Sequence, residues 1–435
     1  MLASRRTFLC ESSLAAAAVA ATTYAQETKS ANDQLTVAII GPGGMGSSHL
    51  VPLAARNDVR IKYVCDPDAQ RLATAVKKAT YRGMAEPTGV KDMRHIFDDK
   101  EVDAVWIATP DHWHAPAGIL ACEAGKHVYV EKPCCHNLKE GRLLLAAARR
   151  NKRVVQTGHQ ARSSAQVMRA MQLLKEGVIG EVLSAKAWNS QLRGNIGHAR
   201  PQDPPAHLDW DLWLGPAPER PYQANLHPSR WRFFYDFGVG DIGNDGVHEL
   251  DIAHWGLGVS GWPTTVCGIG GKYFFDDDQQ FPDHQTCIYE WPGAGGVGQK
   301  KQLIFEQRDW SPYVQEGHEN GNAFYGTKGM LILGKGSGFQ VFGPRNMPGE
   351  KGEGGVDLAA HHQDFLDCIR TGRLPHGDIE QGYLSAGLAH LGNIACRTNR
   401  TLHTDPATET IKNDAEAAKL IGRTYRAGHW AAPKV

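Results

Sequence analysis

The chain opens its readable pattern with Leu35-Thr36-Val37-Ala38-Ile39-Ile40, a short, nearly unbroken apolar run of the kind a strand buried on both faces requires. Gly41-Pro42-Gly43-Gly44-Met45-Gly46 follows without a gap, so the order is strand, glycine loop, helix. A second run, Ile61-Lys62-Tyr63-Val64-Cys65, and a third over residues 102–108 repeat the strand signal, and Val128-Tyr129-Val130 adds another. Beyond Val154-Val155-Gln156-Thr157-Gly158 the pattern changes. Extended segments at 181–188, 265–273, 286–291 and 303–307 alternate with glycine-rich stretches, while helical spacing covers about 168–175, 358–370 and 381–397. The expected fold class is α/β: an N-terminal Rossmann dinucleotide-binding domain at 34–157, then a C-terminal α+β domain at 158–435 with an open, largely antiparallel sheet.

A length of 435 residues suits two cores better than one. Lys plus Arg and Asp plus Glu both number 47, and no basic block forms the footprint of a nucleic-acid binder. A small, polar, uncharged partner fits that balance better. At the start, Ser4-Arg5-Arg6-Thr7-Phe8-Leu9, a mild apolar run from 14 to 21 and small residues up to Ala25 look like a twin-arginine export signal over 1–25. The apolar run is too short to cross a bilayer core of about 30 Å, so a mature chain with no membrane span, periplasmic or otherwise exported, is expected. A cofactor used there has to travel with the protein. The eight cysteines after the signal show neither zinc spacing nor a compact disulfide framework, and structural thiols are expected.

The glycine loop carries the first chemistry. Gly41 permits the tight turn, Gly43 lets backbone approach a pyrophosphate and Gly46 lets the helix pack on its strand, with Gly44 and Met45 at the helix start facing the phosphates. Asp66 ends the next strand about 20 residues on, where an acid bonds the adenosine ribose; its plainer reading is a strand-end turn with Pro67. An acid there favours NAD(H), and Arg71 nearby leaves NADP(H) open. Two further segments, Thr109-Pro110-Asp111-His112-Trp113-His114 and Glu131-Lys132-Pro133, fall at carboxyl ends of strands, the edge where ligands bind in open α/β sheets.

These segments, with Ala124-Gly125-Lys126-His127-Val128-Tyr129-Val130 leading into Glu131-Lys132-Pro133, resemble the Gfo/Idh/MocA family of glucose-fructose oxidoreductase, inositol dehydrogenase and relatives. The resemblance continues through Trp210-Asp211-Leu212-Trp213-Leu214-Gly215-Pro216, Gly240-Asp241-Ile242-Gly243-Asn244-Asp245-Gly246-Val247-His248 and Phe324-Tyr325-Gly326-Thr327-Lys328-Gly329. It implies an NAD(P)-dependent oxidoreductase in which Lys132 touches both cofactor and substrate hydroxyl, often before a cis proline bond. It also implies that Thr109, Pro110, His112, His114 and Glu131 line the cofactor site, that Arg162 and Gln160 stand at the interdomain cleft, and that the sheet of the second domain joins subunits into a homo-oligomer. A surface lysine before a turn proline is the plain alternative for Lys132, and caps or packing for His112 and His114.

Asn244, His248 and Asp251 fall at i, i+4 and i+7, one face of a helix expected over 243–255. Taking hydride from a secondary alcohol requires its hydroxyl proton to leave, which suits a histidine. His248 is therefore read as general base, and Lys132 as the group that orients the hydroxyl and stabilises its developing charge. Several members of the resembled family carry Asp where Asn244 stands; Asn orients but accepts no proton, leaving Asp245 or Asp251 to supply the charge at a substrate site. A helix cap at Asn244 with a packed His248 is the alternative. No metal is expected, since His248-Glu249-Leu250-Asp251 is not a zinc motif and the neighbouring acids spread around the helix. Trp210, Trp213, Trp231, Phe233, Phe234 and Tyr235 read either as the floor of a sugar site or as core. The expected reaction is NAD-dependent oxidation or reduction at a secondary hydroxyl of a sugar, inositol or related polyol; the rival is redox-neutral glycoside cleavage with tightly held NAD.

Overall fold

The computed structural model describes residues 34–80, 85–293, 295 and 298–434; the expected export signal at 1–25 lies outside them. Strands β1 (Leu35–Ile40), β2 (Val59–Cys65), β3 (Thr88–Val90), β4 (Ala104–Ile107), β5 (His127–Val130) and β6 (Val155–Thr157) form one parallel sheet in the order β3-β2-β1-β4-β5-β6. Val37, Ala38 and Ile39 have no exposed surface, as a strand covered on both faces demands. Helices α1 (Gly44–Ala54), α2 (Ala69–Ala79), α3 (Arg94–Asp98), α4 (Asp111–Glu123) and α5 (Leu138–Arg150) make the crossovers. Strand order reverses between β1 and β4, which opens a crevice beyond their carboxyl ends.

After α6 (Ala165–Lys175) comes β7 (Val182–Ser190), then an excursion holding the short pair β8 (Pro201–Gln202) and β9 (Tyr222–Gln223) around α7 (Trp210–Leu214), then α8 (Val247–Leu257). Strands β10 (Thr265–Gly271), β11 (His284–Pro292), β12 (Lys300–Arg308), β13 (Asn320–Gly326), β14 (Met330–Gly334), β15 (Gly338–Phe342) and β16 (Pro348–Gly352) follow, then α9 (Leu358–Thr371), α10 (Ile379–Thr398), β17 (Leu402–Asp405) and β18 (Thr410–Lys412). The larger sheet runs β16-β15-β14-β13-β7-β12-β11-β10-β17-β18, antiparallel except where β12 lies parallel to β7. The open, largely antiparallel sheet expected from the sequence is thus present, with one parallel pair. Leu250 and Leu257 of α8 and Leu388 and Leu391 of α10 pack on Phe305 and Phe324 of that sheet, each fully buried and each contributing about 1.5–3 kcal/mol by leaving water.

The late helices return to the first sheet. Phe365 and Leu366 of α9 share a core with Val37, Ile39 and Trp106, and Ile379 and Ala386 of α10 share one with Val130 and Val155. The Rossmann core is therefore completed by residues more than two hundred positions downstream, which ties the two halves together around the crevice. The excursion has its own aromatic cluster: Trp213, Phe233, Phe234 and Phe237 are at most 5% exposed, and Trp210 stacks on Trp213 at 4.7 Å. Core packing is what holds these rings, although Trp213 and Trp231 also present an edge to the crevice.

Candidate active site

The crevice is a cavity of about 590 Å³ lined by the glycine loop, Asp66, Thr109, Pro110, His114, Glu131, Lys132 and Asn244. Gly41 sits at φ +81°, and a Cβ there would stand 2.7 Å from the backbone nitrogen of Thr109. A Cβ at Gly46 would collide with the carbonyl of Gly41, whereas Gly44 faces open space. Helix α1 starts at this loop with no side-chain cap and no acid in its first turn, so its leading N–H groups remain available to an anion. That cradle fits the pyrophosphate of a dinucleotide. Asp66, 8% exposed, lies at the end of β2; burial pushes its carboxyl up to about 6, against the pull of the Asp68 N–H and the Arg71 charge. The Arg71 guanidinium reaches back toward the loop, 2.8 Å from where a Gly43 Cβ would lie.

Lys132 follows β5, and its peptide bond to Pro133 is cis. Its ammonium donates to the carbonyl oxygen of Asn244 at 2.5 Å. Glu131 is turned the other way, accepting from His49 Nε2 at 2.9 Å and from Gln160 Nε2 at 3.0 Å. Burial works to raise the Glu131 carboxyl, but the His49 bond and the Lys132 charge outweigh it and hold it at about 2. Glu131 is thus a fixed anion that anchors the lysine loop. His114 clamps the same loop from the other side, with Nδ1 2.7 Å from the Pro133 carbonyl and Nε2 2.8 Å from that of Thr109.

Beyond Asn244 the chain departs from a plain helix. Ile242–Gly246 form a π-helical turn before α8, and this wider turn splits the face that α-helical spacing predicts. Asn244 directs its amide to Asp241 at 3.0 Å. Asp241 also accepts from Arg193 at 3.0 Å, and Asp245 pairs with the same guanidinium. His248 sits edge-on to His159 at 5.9 Å. Burial, then the charges of Lys335 and Lys132, hold its imidazole well below the usual range, so it is neutral at ordinary pH. Burial raises the Asp245 carboxyl, but Lys132, Lys335 and Arg193 outweigh it and lower the balance below the usual value.

Of the expected side chains, His112, Arg162, Asp245, His248 and Asp251 do not line this cavity, although Asp245 and His248 flank Asn244 and Lys132. His112 is fully buried, its Nε2 on the Trp213 carbonyl at 3.0 Å and its ring against Phe237, so it packs the excursion onto α4. Arg162 and Asp251 face each other instead of a substrate. The guanidinium makes bonds of 2.8–3.0 Å to the carboxylate, Ser385 Oγ adds another at 2.5 Å, and the two residues are 5% and 1% exposed. Conversely, sequence reasoning passed over Asp111, Arg193 and Lys335. Asp111 lies inside the quoted loop motif and lines the cleft; burial lifts its carboxyl to about 7 despite the charges of Lys132 and Arg232. Arg193 and Lys335 sit in irregular, glycine-rich stretches whose long-range neighbours no local spacing announces.

Among the described residues no group of three or more His, Cys, Asp or Glu is arranged to hold a metal ion, and no helix is long and apolar enough to cross a membrane. Residues 35–159 match the family model described as oxidoreductase family, NAD-binding Rossmann fold, and residues 168–269 and 270–432 match that of its C-terminal alpha/beta domain. Over 233 residues the chain is 28% identical to a levoglucosan dehydrogenase of Pseudarthrobacter phenanthrenivorans, covering 52% of this chain and 51% of that one. Over 159 residues it is 28% identical to a glycosyl hydrolase family 109 protein of Shewanella pealeana, covering 36% and 35%. The matches thus span about half or less of these curated relatives. A solved levoglucosan dehydrogenase in complex with NADH and levoglucosan superposes with a TM-score of 0.63 at 20% identity, over 85% of this chain and 99% of that one, and shares the fold. With both of its domains matched and its glycine cradle intact, the chain belongs to the Gfo/Idh/MocA family of NAD-binding oxidoreductases.

Proposed function

We propose that the protein oxidises a secondary hydroxyl of a sugar, inositol or related polyol, or reduces the matching carbonyl, with NAD. The observation that carries this reading is the meeting of Lys132 with the π turn before α8, in a cleft whose other end is a dinucleotide cradle. Bound NAD supplies the hydride acceptor or donor. Lys132 has three N–H donors and gives one to Asn244, so the remainder are free to hold a substrate oxygen and stabilise its negative charge. His248, kept neutral, takes the hydroxyl proton. Asp245 and Arg193, paired beside Asn244, are polar groups suited to the other hydroxyls of a polyol.

The likeness to glycosyl hydrolase family 109 proteins favours a second reading, cleavage of a glycoside without net redox change. We further propose export of the chain through the signal-like segment at 1–25, and self-association through the outer face of the large sheet. On that face Trp188, Ala323 and Ile332 cluster, and Ile269 and Tyr325 are exposed. Mass analysis of the purified protein for bound NAD(H), followed by addition of free sugars and of aryl glycosides, tests the chemistry. Reduction of NAD by a free sugar with no aglycone released supports the oxidoreductase reading; aglycone release with no net reduction supports the glycosidase, and neither reaction with any compound of these classes rejects both.

A further inference from the structure

Cys287 of β11 and Cys396 of α10 stand 109 positions apart in the chain, and their sulfurs lie 3.9 Å from each other where the end of the helix packs on the sheet. Two glycines clear that space. Gly268 of β10 is directly opposite Cys287, and a Cβ on it would stand 2.9 Å from the Cys396 Sγ. Gly392, one turn before Cys396, would bring a Cβ to 3.0 Å from the Cys287 Sγ. Glycine weakens a strand and a helix interior alike, and here it stands at the two points where the thiols approach most closely.

The two sulfurs differ in access. Cys287 has no exposed surface, whereas Cys396 is partly exposed and lines a cavity of about 140 Å³ together with Asn393, Lys272 and Arg397. The hydrogen bond from Cys287 holds the Cys396 thiol below the usual range against the effect of burial, while that bond and burial push the Cys287 thiol up. An accessible thiol beside cations ionises and attacks first, and a second thiol behind it is placed to resolve the product. The vicinal Cys134 and Cys135, with sulfurs 4.0 Å apart, have no exposed surface at all and so no such entry.

We propose that Cys287 and Cys396 are a disulfide-forming pair: Cys396 takes up an oxidising small-molecule disulfide from the cavity, Cys287 resolves it, and the bond formed staples α10 to β11. The Cys396 thiolate attacks one sulfur of the small disulfide and expels the other half as a thiolate. The Cys287 thiolate then attacks the Cys396 Sγ and expels the second half. In balance one S–S bond breaks and one forms; the small disulfide is reduced to two thiols, which take the protons of Cys287 and Cys396, and the protein pair is oxidised by two electrons. Closing so long a loop restricts the unfolded chain, and α10 also carries Ile379 and Ala386 of the Rossmann core, so the staple holds an element shared by both sheets.

The test is incubation of the reduced, folded protein with oxidised glutathione, then alkylation of the remaining thiols in denaturant, digestion and peptide mass analysis, on wild type, Cys287→Ser and Cys396→Ser. In wild type the peptides bearing Cys287 and Cys396 are expected to be joined, with Cys134 and Cys135 fully alkylated. The melting midpoint is expected to rise by at least about 3 °C on oxidation and to return on addition of dithiothreitol. Cys287→Ser is expected to stop with glutathione on Cys396, and Cys396→Ser to take up none on Cys287. The wild-type peptide map carries the test if a serine variant fails to fold. Both thiols alkylated after the incubation, a bond from either of them to Cys267, glutathione left on Cys396 in wild type, or a bond formed with no rise in the midpoint overturns the proposal.

Discussion

The Lys132 ammonium lies 2.5 Å from the main-chain oxygen of Asn244, so the loop after β5 and the π turn before α8 meet in a single bond. Because the acceptor is backbone, the contact survives any change to the Asn244 side chain, which is engaged with Asp241 instead. Lys132 is the one residue of the pair whose side chain matters to the junction.

Lys132→Ala is accordingly expected to lower kcat by at least about 100-fold, the scale for losing a donor to developing negative charge. The glycine cradle and Asp66 are untouched, so extraction should still yield NAD. Near-normal turnover in that variant would remove Lys132 from the chemistry.

The pH profile follows from His248. Its imidazole is held well below 6.5 by burial and by Lys335 and Lys132, so it stays deprotonated as pH falls through that value. We expect kcat/KM to stay level on the acid side down through about pH 6.5. Lys335→Gln removes one of the charges that depress it, so the acid limb should move to higher pH; an unmoved limb would exclude His248 as the base.

Asp111 makes a prediction about stability. Its folded pKa, about 7, lies above the ordinary 3.8, so its contribution is fully present below pH 3.8 and lost as pH rises through about 7. At about pH 8 the folded protein bears an ionised, buried carboxylate. Asp111→Asn should therefore gain stability over wild type at about pH 8, and that gain should shrink by on the order of 2 kcal/mol toward about pH 5. Denaturant melts at the two pH values measure the difference; a gain that is constant or grows toward acid contradicts the burial argument.

Arg162 and Asp251 form a closed pair, and removal of one member strands the other without solvent. Arg162→Ala is expected to cost about 3–5 kcal/mol in a urea melt, and Arg162→Met combined with Asp251→Leu to cost less than Arg162→Ala alone. If either residue served the substrate instead, the conservative double variant would fold normally and lose substrate affinity.

What was readable in the sequence is what depends on neighbours along the chain. The strand before Gly41, the positive φ that calls for glycine there, and the acid after β2 are all set within one βαβ unit. The shared face of Asn244, His248 and Asp251 rested on 3.6 residues per turn, and the π turn at Ile242–Gly246 breaks that count. That turn separates only Asn244 from the other two; His248 and Asp251 keep their spacing within α8, and Asp251 is taken up by the buried Arg162 and Ser385. His112 and His114 are two positions apart in one motif, yet one packs against Phe237 and the other lines the cavity, a division made by the excursion lying over α4. Arg193, Lys335 and Trp430 reach the site from distant segments, and nothing local to them signals it.

If NAD held beside Lys132 exchanges hydride with a substrate carbinol carbon, the bond from that carbon to hydrogen breaks in the step that reduces NAD. The most direct measurement is the rate at which NAD on the purified protein is reduced by a reactive sugar, with hydrogen or deuterium at that carbon, in wild type and in Lys132→Ala. Slower reduction with deuterium is expected in wild type, and reduction at least about 100-fold slower in the variant. Equal rates for the two isotopes with chemistry rate-limiting, or wild-type reduction without the lysine, would contradict it.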